Sequence, residues 1–247
     1  VALSKDQIPR LASIVRSLML TGRTLTTYLV HSFDYDSRVK SILEMSDTIV
    51  FDSLSLDVAK WYECNSFRSI EKLVDVQWLR LSGWREHVKL SFEAPHAYQR
   101  LHDLAALEVT MGETPGALLN AWLLVHWLLA HLDLTLGDKR DGVIELRGAQ
   151  HRQAELRLTK KSSNYNALPS RCAMNFLGPQ KTSVVLESLI GEIRTEFSDQ
   201  ENLVVTSRFD DLSPDQLVCR FFEAGETINE YRRYLARALS SVRELGA

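Results

Sequence analysis

The chain has 247 residues, 45% of them hydrophobic and 25% charged, and its formal net charge is -3. This length and balance are typical of a globular protein with a large core and exclude a disordered or fibrous chain. Lysine and arginine are scattered along the sequence, so the chain lacks the basic patch that binding to a phosphate backbone needs. We therefore expect no nucleic-acid partner.

The longest apolar stretch, residues 117–134, predicts a buried helix. Polar residues interrupt it, and it is shorter than the ~20 apolar residues that span a bilayer, so no membrane association is expected. The cysteines, Cys64, Cys172 and Cys219, fit neither a disulfide framework nor a zinc site, and we expect reduced thiols in a cytoplasmic protein. The alternative interpretation is that one of these thiols acts as a redox switch. No secretory signal is visible, and the start at Val1 suggests a part of a longer protein.

Strand and helix patterns alternate in the first part of the chain. Apolar spacing predicts a helix over 8–20, and apolar runs rich in β-branched residues predict buried strands over 24–30 and 47–53. Between these strands, residues 36–45 have the cap and the spacing of a short helix. Two strands joined by a helix form a βαβ unit, so this part predicts a parallel sheet.

The next elements lead to the longest apolar stretch. We expect a helical segment near 66–74, a helix over 83–92 and a strand over 104–111. A buried helix over 115–134 begins at Thr114 and Pro115, since proline suits the first helical position.

Beyond Gly137, short apolar stretches separated by polar turns predict an antiparallel portion. Its strands are expected over 142–148, 154–160, 172–178 and 202–209, with one helix near 182–197. A last helix begins at Ser213 and carries apolar residues at heptad spacing as far as Leu245. Packing against its own sheet is the preferred interpretation, and self-association through this helix is the alternative.

The predicted fold is α/β. A Rossmann-like, partly parallel sheet with flanking helices forms residues 1–136, which include the tryptophan-arginine motif described below. Antiparallel strands and the long C-terminal helix form residues 137–247, and the two portions are expected to pack as one compact unit.

Few residues have a spacing that indicates catalysis. The phosphate-binding motifs GxGxxG and GxxxxGK[ST], the metal motif HExxH and the nucleophile motif GxSxG are all absent. The seven histidines are expected to be solvated, and Asp210 and Asp211 precede a helix, where negative charge is favourable. The residues therefore predict no cofactor, no metal and no catalytic set.

The segment VDVQWLRLSGWREHVKLSF, residues 74–92, contains two tryptophans that are each closely followed by an arginine. Tryptophan is usually buried, so core packing is one interpretation of Trp78 and Trp84. Arginine beside tryptophan also suits a protein interface, where Arg80 and Arg85 would contribute to binding. A platform that stacks nucleic-acid bases is the least favoured interpretation of this segment, because acidic residues lie beside the basic ones.

Three blocks together resemble a known bacterial family, the glucose-6-phosphate dehydrogenase assembly protein OpcA. They are SDTIVFDS at 46–53, VDVQWLRLSGWREHVKLSFEAP at 74–95 and ALLNAWLLVHWLLAHLDL at 117–134, and the N-terminal IPRLASIVRSLML also looks similar. The family pattern is matched by Asp52, Ser53, Asp75, Trp78, Arg80, Leu81, Trp84, Arg85, Phe92, Leu119, Trp122 and Leu123. The stretch TGRTLTTYLVH departs from the proline turn and paired tryptophans of the family, and a segment that usually precedes this region is expected to be missing.

The resemblance implies a non-catalytic assembly factor or allosteric activator of glucose-6-phosphate dehydrogenase, in the oxidative pentose phosphate pathway of glucose metabolism. Its partner would be that dehydrogenase, and the partner-binding or motif residues would be Asp52, Ser53, Asp75, Trp78, Arg80, Trp84 and Arg85. The alternative is a Rossmann-like enzyme or sensor that binds a sugar phosphate or nucleotide near Asp52 and Ser53, where parallel sheets usually place ligands.

Overall fold

A computed structural model describes residues 13–17, 24–29, 42–53, 72–149, 153–161, 168–177, 182–189, 192–198, 204–208, 212–224 and 229–245. The chain divides into two compact units. The first is drawn from Val1–Leu79 and Leu217–Arg232, and the second from Arg80–Gln216 and Arg233–Ala247.

The first unit contains a three-stranded sheet in the order β1-β2-β3, with both strand pairs parallel. Its strands are β1 (Thr26–Leu29), β2 (Thr48–Phe51) and β3 (Lys72–Asp75). The central strand β2 is buried along its whole length, as expected for a parallel strand that is covered on both faces. The predicted parallel sheet and its first two strands are confirmed.

Helix α1 (Val76–Arg80) begins directly after β3. The sequence prediction of a helix near 66–74 is wrong for residues 72–74, which belong to β3, and residues 66–71 lie outside the described ranges. Leu73 and Val74 pair with Ile49 and Val50 of β2, and this tertiary pairing decides the conformation of a segment too short for periodicity to classify.

The second unit contains an eight-stranded sheet in the order β11-β10-β9-β8-β4-β7-β6-β5. It includes helices α2 (Ser82–Ser91), α3 (Pro95–Arg100) and α4 (Pro115–His131). Its strands are β4 (Leu104–Met111), β5 (Leu134–Arg140), β6 (Val143–Gly148), β7 (Gln153–Lys160), β8 (Arg171–Phe176), β9 (Thr182–Leu189), β10 (Glu192–Phe197) and β11 (Val204–Arg208). Every neighbouring pair is antiparallel except β4 with β7, so the expected antiparallel portion is confirmed.

The two faces of this sheet differ in chemistry. Along β10, Ile193, Thr195 and Phe197 are buried, while the residues between them lie on the other face. That face carries exposed ion pairs, such as Arg194 with Glu196 at 3.0 Å. Pairs of this kind contribute little to stability because water screens them, so the buried face supplies the core.

Two features of the antiparallel portion differ from the sequence prediction. A helix near 182–197 is wrong, because these residues form β9 and β10 with a buried residue at every second position. The β-branched residues in TSVVL favour a strand, and pairing with β8 fixes it. Strand β5 was not predicted. It begins at Leu134, where the predicted helix was expected to end, and the polar residues of its second half do not have the apolar pattern of a strand.

The C-terminal part consists of helices α5 (Pro214–Ala224) and α6 (Asn229–Glu244), separated by residues 225–228 outside the described ranges. The predicted cap is confirmed: the Gln216 backbone N–H donates to Ser213 Oγ at 3.3 Å, and the Ser213 N–H donates to Gln216 Oε1 at 2.9 Å. This reciprocal pair is a capping box. Heptad positions Tyr231, Leu235 and Ala238 are buried, which gives α6 an apolar face.

Candidate functional site

The carboxyl ends of β2 and β3 bring several predicted residues together in the first unit. Phe51 pairs with Asp75, so Asp52 and Ser53, which follow β2, lie at the same edge of the sheet as the end of β3. Asp75 and Ser53 are buried, and Asp52 is partly exposed. Open parallel sheets usually place ligands at this edge.

Among the described residues, Asp75 accepts hydrogen bonds from Ser53, Gln77 and Tyr231. Its Oδ1 atom accepts from the backbone N–H of Ser53 at 3.1 Å and of Gln77 at 3.0 Å. Its Oδ2 atom accepts from the Tyr231 hydroxyl at 3.0 Å. The bond from Gln77 caps the start of α1, and the bond from Ser53 ties the end of β2 to the end of β3.

The Asp75 side chain has an unusual acidity for an aspartate. Burial raises its pKa from 3.8 to about 6, although the hydrogen bonds from Gln77 and Ser53 act in the opposite direction. A carboxyl group with a pKa near neutrality can exist in both protonation states at physiological pH. Such groups are typical of acid-base sites in enzymes, and they also occur in structural networks.

Two polar side chains complete the edge. The Gln77 amide Nε2 donates to Asp52 Oδ1 at 2.9 Å, which holds this partly exposed carboxylate against α1. The buried Ser53 hydroxyl has no hydrogen-bond partner among the described residues, although it lies near enough to Asp75 to lower the carboxyl pKa. Of these two groups, the edge therefore presents the Asp52 carboxylate to a ligand, while the Ser53 hydroxyl stays buried beside Asp75.

Aromatic rings pack around the buried carboxyl group. The Tyr231 ring lies 5.6 Å from the Trp78 ring and 6.4 Å from the Phe51 ring, measured between centroids. These contacts fix the Tyr231 hydroxyl beside Asp75. Sequence patterns identified neither Gln77 nor Tyr231 as a site residue, and nothing in the heptad spacing distinguishes Tyr231 from its neighbours.

The remaining predicted residues belong to the second unit. Trp84, in α2, is fully buried, and its indole N–H has no hydrogen-bond partner among the described residues. Arg80 and Arg85 are partly exposed. Both Trp78 and Trp84 thus belong to the core, as the core-packing interpretation expects, and the proposed partner-binding role of the motif residues stays a prediction.

A second polar cluster joins α2 to the large sheet. His87 is buried, with Nδ1 at 2.5 Å from Ser207 Oγ and Nε2 at 2.7 Å from Thr195 Oγ1, and burial lowers its pKa. His126 is also buried, with Nε2 at 2.9 Å from Ser241 Oγ. The expectation that the histidines are solvated is therefore wrong for His87 and His126, because hydroxyl partners satisfy both rings inside the core.

The cysteines and charged groups within the described ranges give no further site. Cys172 is buried, and burial raises the pKa of its thiol to about 12, whereas Cys219 is exposed. Cys64, Asp210 and Asp211 lie outside the described ranges. Within those ranges, no group of three or more histidine, cysteine or acidic residues could hold a metal ion, and no helix has the length and apolar content that a membrane crossing requires.

A nicotinamide dinucleotide, which Rossmann-like folds often bind, does not fit the described residues of the edge. Its pyrophosphate needs backbone N–H groups at a helix N-terminus. At the start of α1 the Gln77 N–H already donates to the buried Asp75 carboxyl, and a second negative group there would meet Asp52 as well. We therefore assign no cofactor contact to these residues.

The parallel sheet with its polar carboxyl edge and the large second sheet define a Rossmann-like α/β fold. No family model and no curated protein matches the chain. Among solved structures, an oxidoreductase from Sinorhizobium meliloti matches with a TM-score of 0.55 and 10% identity, over 93% of this chain and 78% of that chain. This likeness confirms the predicted fold class.

Two further solved structures match at lower similarity. A levoglucosan dehydrogenase in complex with NADH and L-sorbose has a TM-score of 0.48 and 9% identity, over 94% of this chain and 80% of that chain. A dehydrogenase from Clostridium difficile has a TM-score of 0.44 and 9% identity, over 87% and 79% of the two chains.

These comparisons correct three sequence-based predictions. Membership of the OpcA assembly-protein family is wrong, since no family model matches and the structural match is to an oxidoreductase. The predicted non-catalytic role as an activator of glucose-6-phosphate dehydrogenase is contradicted by the same finding, as is the expectation that the chain is not an enzyme. Both tryptophans of the tryptophan-arginine block are buried in the core. Core packing can produce such a pattern in proteins of different function, so the block did not identify the family.

Proposed function

We propose that the chain belongs to an enzyme of the oxidoreductase type that binds a polar small molecule at the carboxyl edge of its parallel sheet. The observation that carries the proposal is the convergence of Asp52, Ser53 and the buried Asp75 at adjacent strand ends. The fold shared with the Sinorhizobium meliloti oxidoreductase supports the class of enzyme. The position of the edge agrees with the usual ligand position in such sheets.

The charges at the edge favour an uncharged, hydroxyl-rich ligand. Asp52 and Asp75 are carboxyl groups, and the side chains that approach them, from Gln77 and Tyr231, are uncharged donors. A phosphate placed beside Asp52 would meet like charge, whereas a ligand hydroxyl could donate to it. A neutral polyol or sugar therefore fits this edge better than a sugar phosphate.

Each residue has a distinct role in this proposal. Asp52 contacts the ligand, and Asp75 positions the end of β2 next to it through its bond to the Ser53 backbone N–H. Because its pKa is about 6, Asp75 can also hold or release a proton near neutral pH without leaving the core.

Titration calorimetry with a panel of neutral polyols, sugar phosphates and nicotinamide nucleotides tests the proposal. We expect a neutral polyol to bind and its phosphate to bind at least about tenfold more weakly, because like charges lie at the edge. Asp52→Asn should weaken polyol binding about tenfold. Glu44→Gln, which changes an exposed carboxylate of the same unit, is the matched control and should leave it unchanged. Tight binding of a sugar phosphate that is unchanged in Asp52→Asn would refute the proposal. The absence of binding by every compound of the panel would also refute it.

A further inference from the structure

A separate cavity lies within the second unit, where α2, α3 and α4 pack beside β8. Its volume is about 230 Å³. Its walls are largely apolar and are formed by Val88, Phe92, Leu101, Leu128 and Met174. Phe92 also contacts Phe176 of β8, with ring centroids 6.4 Å apart, which fixes one wall.

Two basic side chains flank a tryptophan in the lining of this cavity. Lys89 Nζ lies 6.0 Å from the centre of the Trp127 ring. On the next turn of α4, the His131 ring lies 4.7 Å from the same ring, and its Nδ1–H donates to the Trp127 carbonyl at 2.8 Å. No residue in the lining of this cavity is acidic.

The size of the cavity limits what it can hold. A water molecule occupies about 30 Å³ of liquid, so the cavity has room for roughly eight waters or one aromatic ring with a short tail. Nucleotides and long-chain lipids are too large. An apolar cavity of this kind is a poor host for water, because most of its walls offer no hydrogen bonds.

We propose that this cavity binds a small carboxylic acid with a flat apolar body. The ring lies among Phe92, Leu128 and Met174, where it buries apolar surface. The carboxylate lies at the lysine, where the cation on the Trp127 face offers it a charge-assisted hydrogen bond. This site lies in the second unit and uses none of the residues of the proposed active site, so it goes beyond the proposed function.

Titration with 3-phenylpropionate and with its uncharged analogue 3-phenylpropan-1-ol tests both parts of the inference. Tryptophan fluorescence is the readout, since Trp127 lines the cavity, and Trp127→Phe identifies its share of the signal. We expect the acid to bind at least fivefold more tightly than the alcohol. Equal binding of acid and alcohol would refute the role of the cation.

Two variants and a control separate the contributions of charge and shape. Lys89→Met keeps most of the length of the side chain and removes its charge. It should weaken binding of the acid about fivefold to tenfold and leave binding of the alcohol unchanged. Leu132→Phe, at the partly exposed margin of the cavity, should reduce the cavity volume and weaken the binding of both ligands. Lys160→Met removes an exposed lysine elsewhere in the unit and should change neither affinity.

Three other outcomes would overturn the inference. One is the absence of any binding of 3-phenylpropionate at millimolar concentration. Another is tighter binding of octanoate, by tenfold or more, which would indicate a flexible chain instead of a flat ring. The last is an acid affinity that is lost equally in Lys89→Met and Lys160→Met, because net charge and not the cavity would then explain it.

Discussion

The Tyr231 hydroxyl donates a hydrogen bond to Asp75 Oδ2 at 3.0 Å, so α6 contacts the end of β3 across 156 positions of sequence. Both side chains are buried. A buried carboxyl group that loses a donor has no water to replace it, and this bond therefore links the stability of the first unit to the chemistry of the candidate site.

Tyr231→Phe removes this donor and keeps the aromatic ring. We expect a loss of about 1–3 kcal/mol in the free energy of unfolding, because one oxygen of a buried carboxyl group loses its partner. The pKa of Asp75 should rise further, since the Tyr231 bond is one of the contributions that lower it. Chemical denaturation measures the first effect. Tyr98→Phe, at a ring that is 55% exposed, is the control and should change stability by less than about 0.5 kcal/mol.

Asp75→Asn should change how stability depends on pH. The folded pKa of about 6 lies above the ordinary value of 3.8, so the contribution of Asp75 is fully present below pH 3.8 and is lost as the pH rises through 6. The difference amounts to roughly 3 kcal/mol, because one pKa unit corresponds to about 1.4 kcal/mol. Denaturation curves between pH 4 and 7 should show the wild type losing stability relative to the variant as the pH rises. A constant difference across this range would contradict the raised pKa.

His126→Gln should have the opposite pH dependence. Burial, and then the nearby charge of Arg237, lower the pKa of His126 from 6.5 to about 4. Its contribution is therefore present above pH 6.5 and is lost as the pH falls through 4, by roughly 3 kcal/mol. Glutamine cannot titrate but can still bond to the Ser241 hydroxyl, so the variant should lose less stability than the wild type on acidification. His102→Gln, at an exposed ring, is the control and should follow the wild type.

Local patterns predicted much of the fold because they reflect local physics. The strand over 104–111 and the buried helix that begins after Thr114 follow from periodicity and from a side-chain cap, and both are observed. The errors lie where pairing with distant strands decides the structure, as at Lys72–Asp75 and at Thr182–Leu189. There the short apolar runs fit a helix or a strand equally well until a neighbouring strand is present.

The candidate site could be predicted only in part. Asp52 and Ser53 follow an apolar run, so the usual ligand position in parallel sheets predicted them, whereas Asp75 was predicted only through the resemblance to the OpcA family. Tyr231 completes the site from a helix more than 150 residues away, and no local pattern predicts that contact. The tryptophan-arginine block pointed to a function that the comparisons contradict, because its tryptophans serve the core.

His87 provides the last test, because its two ring nitrogens bond to hydroxyls on two strands of the large sheet, Thr195 on β10 and Ser207 on β11. His87→Ala should cost about 2–4 kcal/mol of unfolding free energy, since it opens a cavity and removes one of the two hydrogen-bond partners of the buried Thr195 hydroxyl, the other being Ser91 Oγ at 3.0 Å. Thr195→Val alone should also be costly, but the double variant should cost at least 1 kcal/mol less than the sum of the two losses, because the same His87–Thr195 hydrogen bond is lost in each single variant. A double-mutant cycle by chemical denaturation measures this coupling, and strictly additive losses would show that the bond contributes nothing to holding α2 on the sheet.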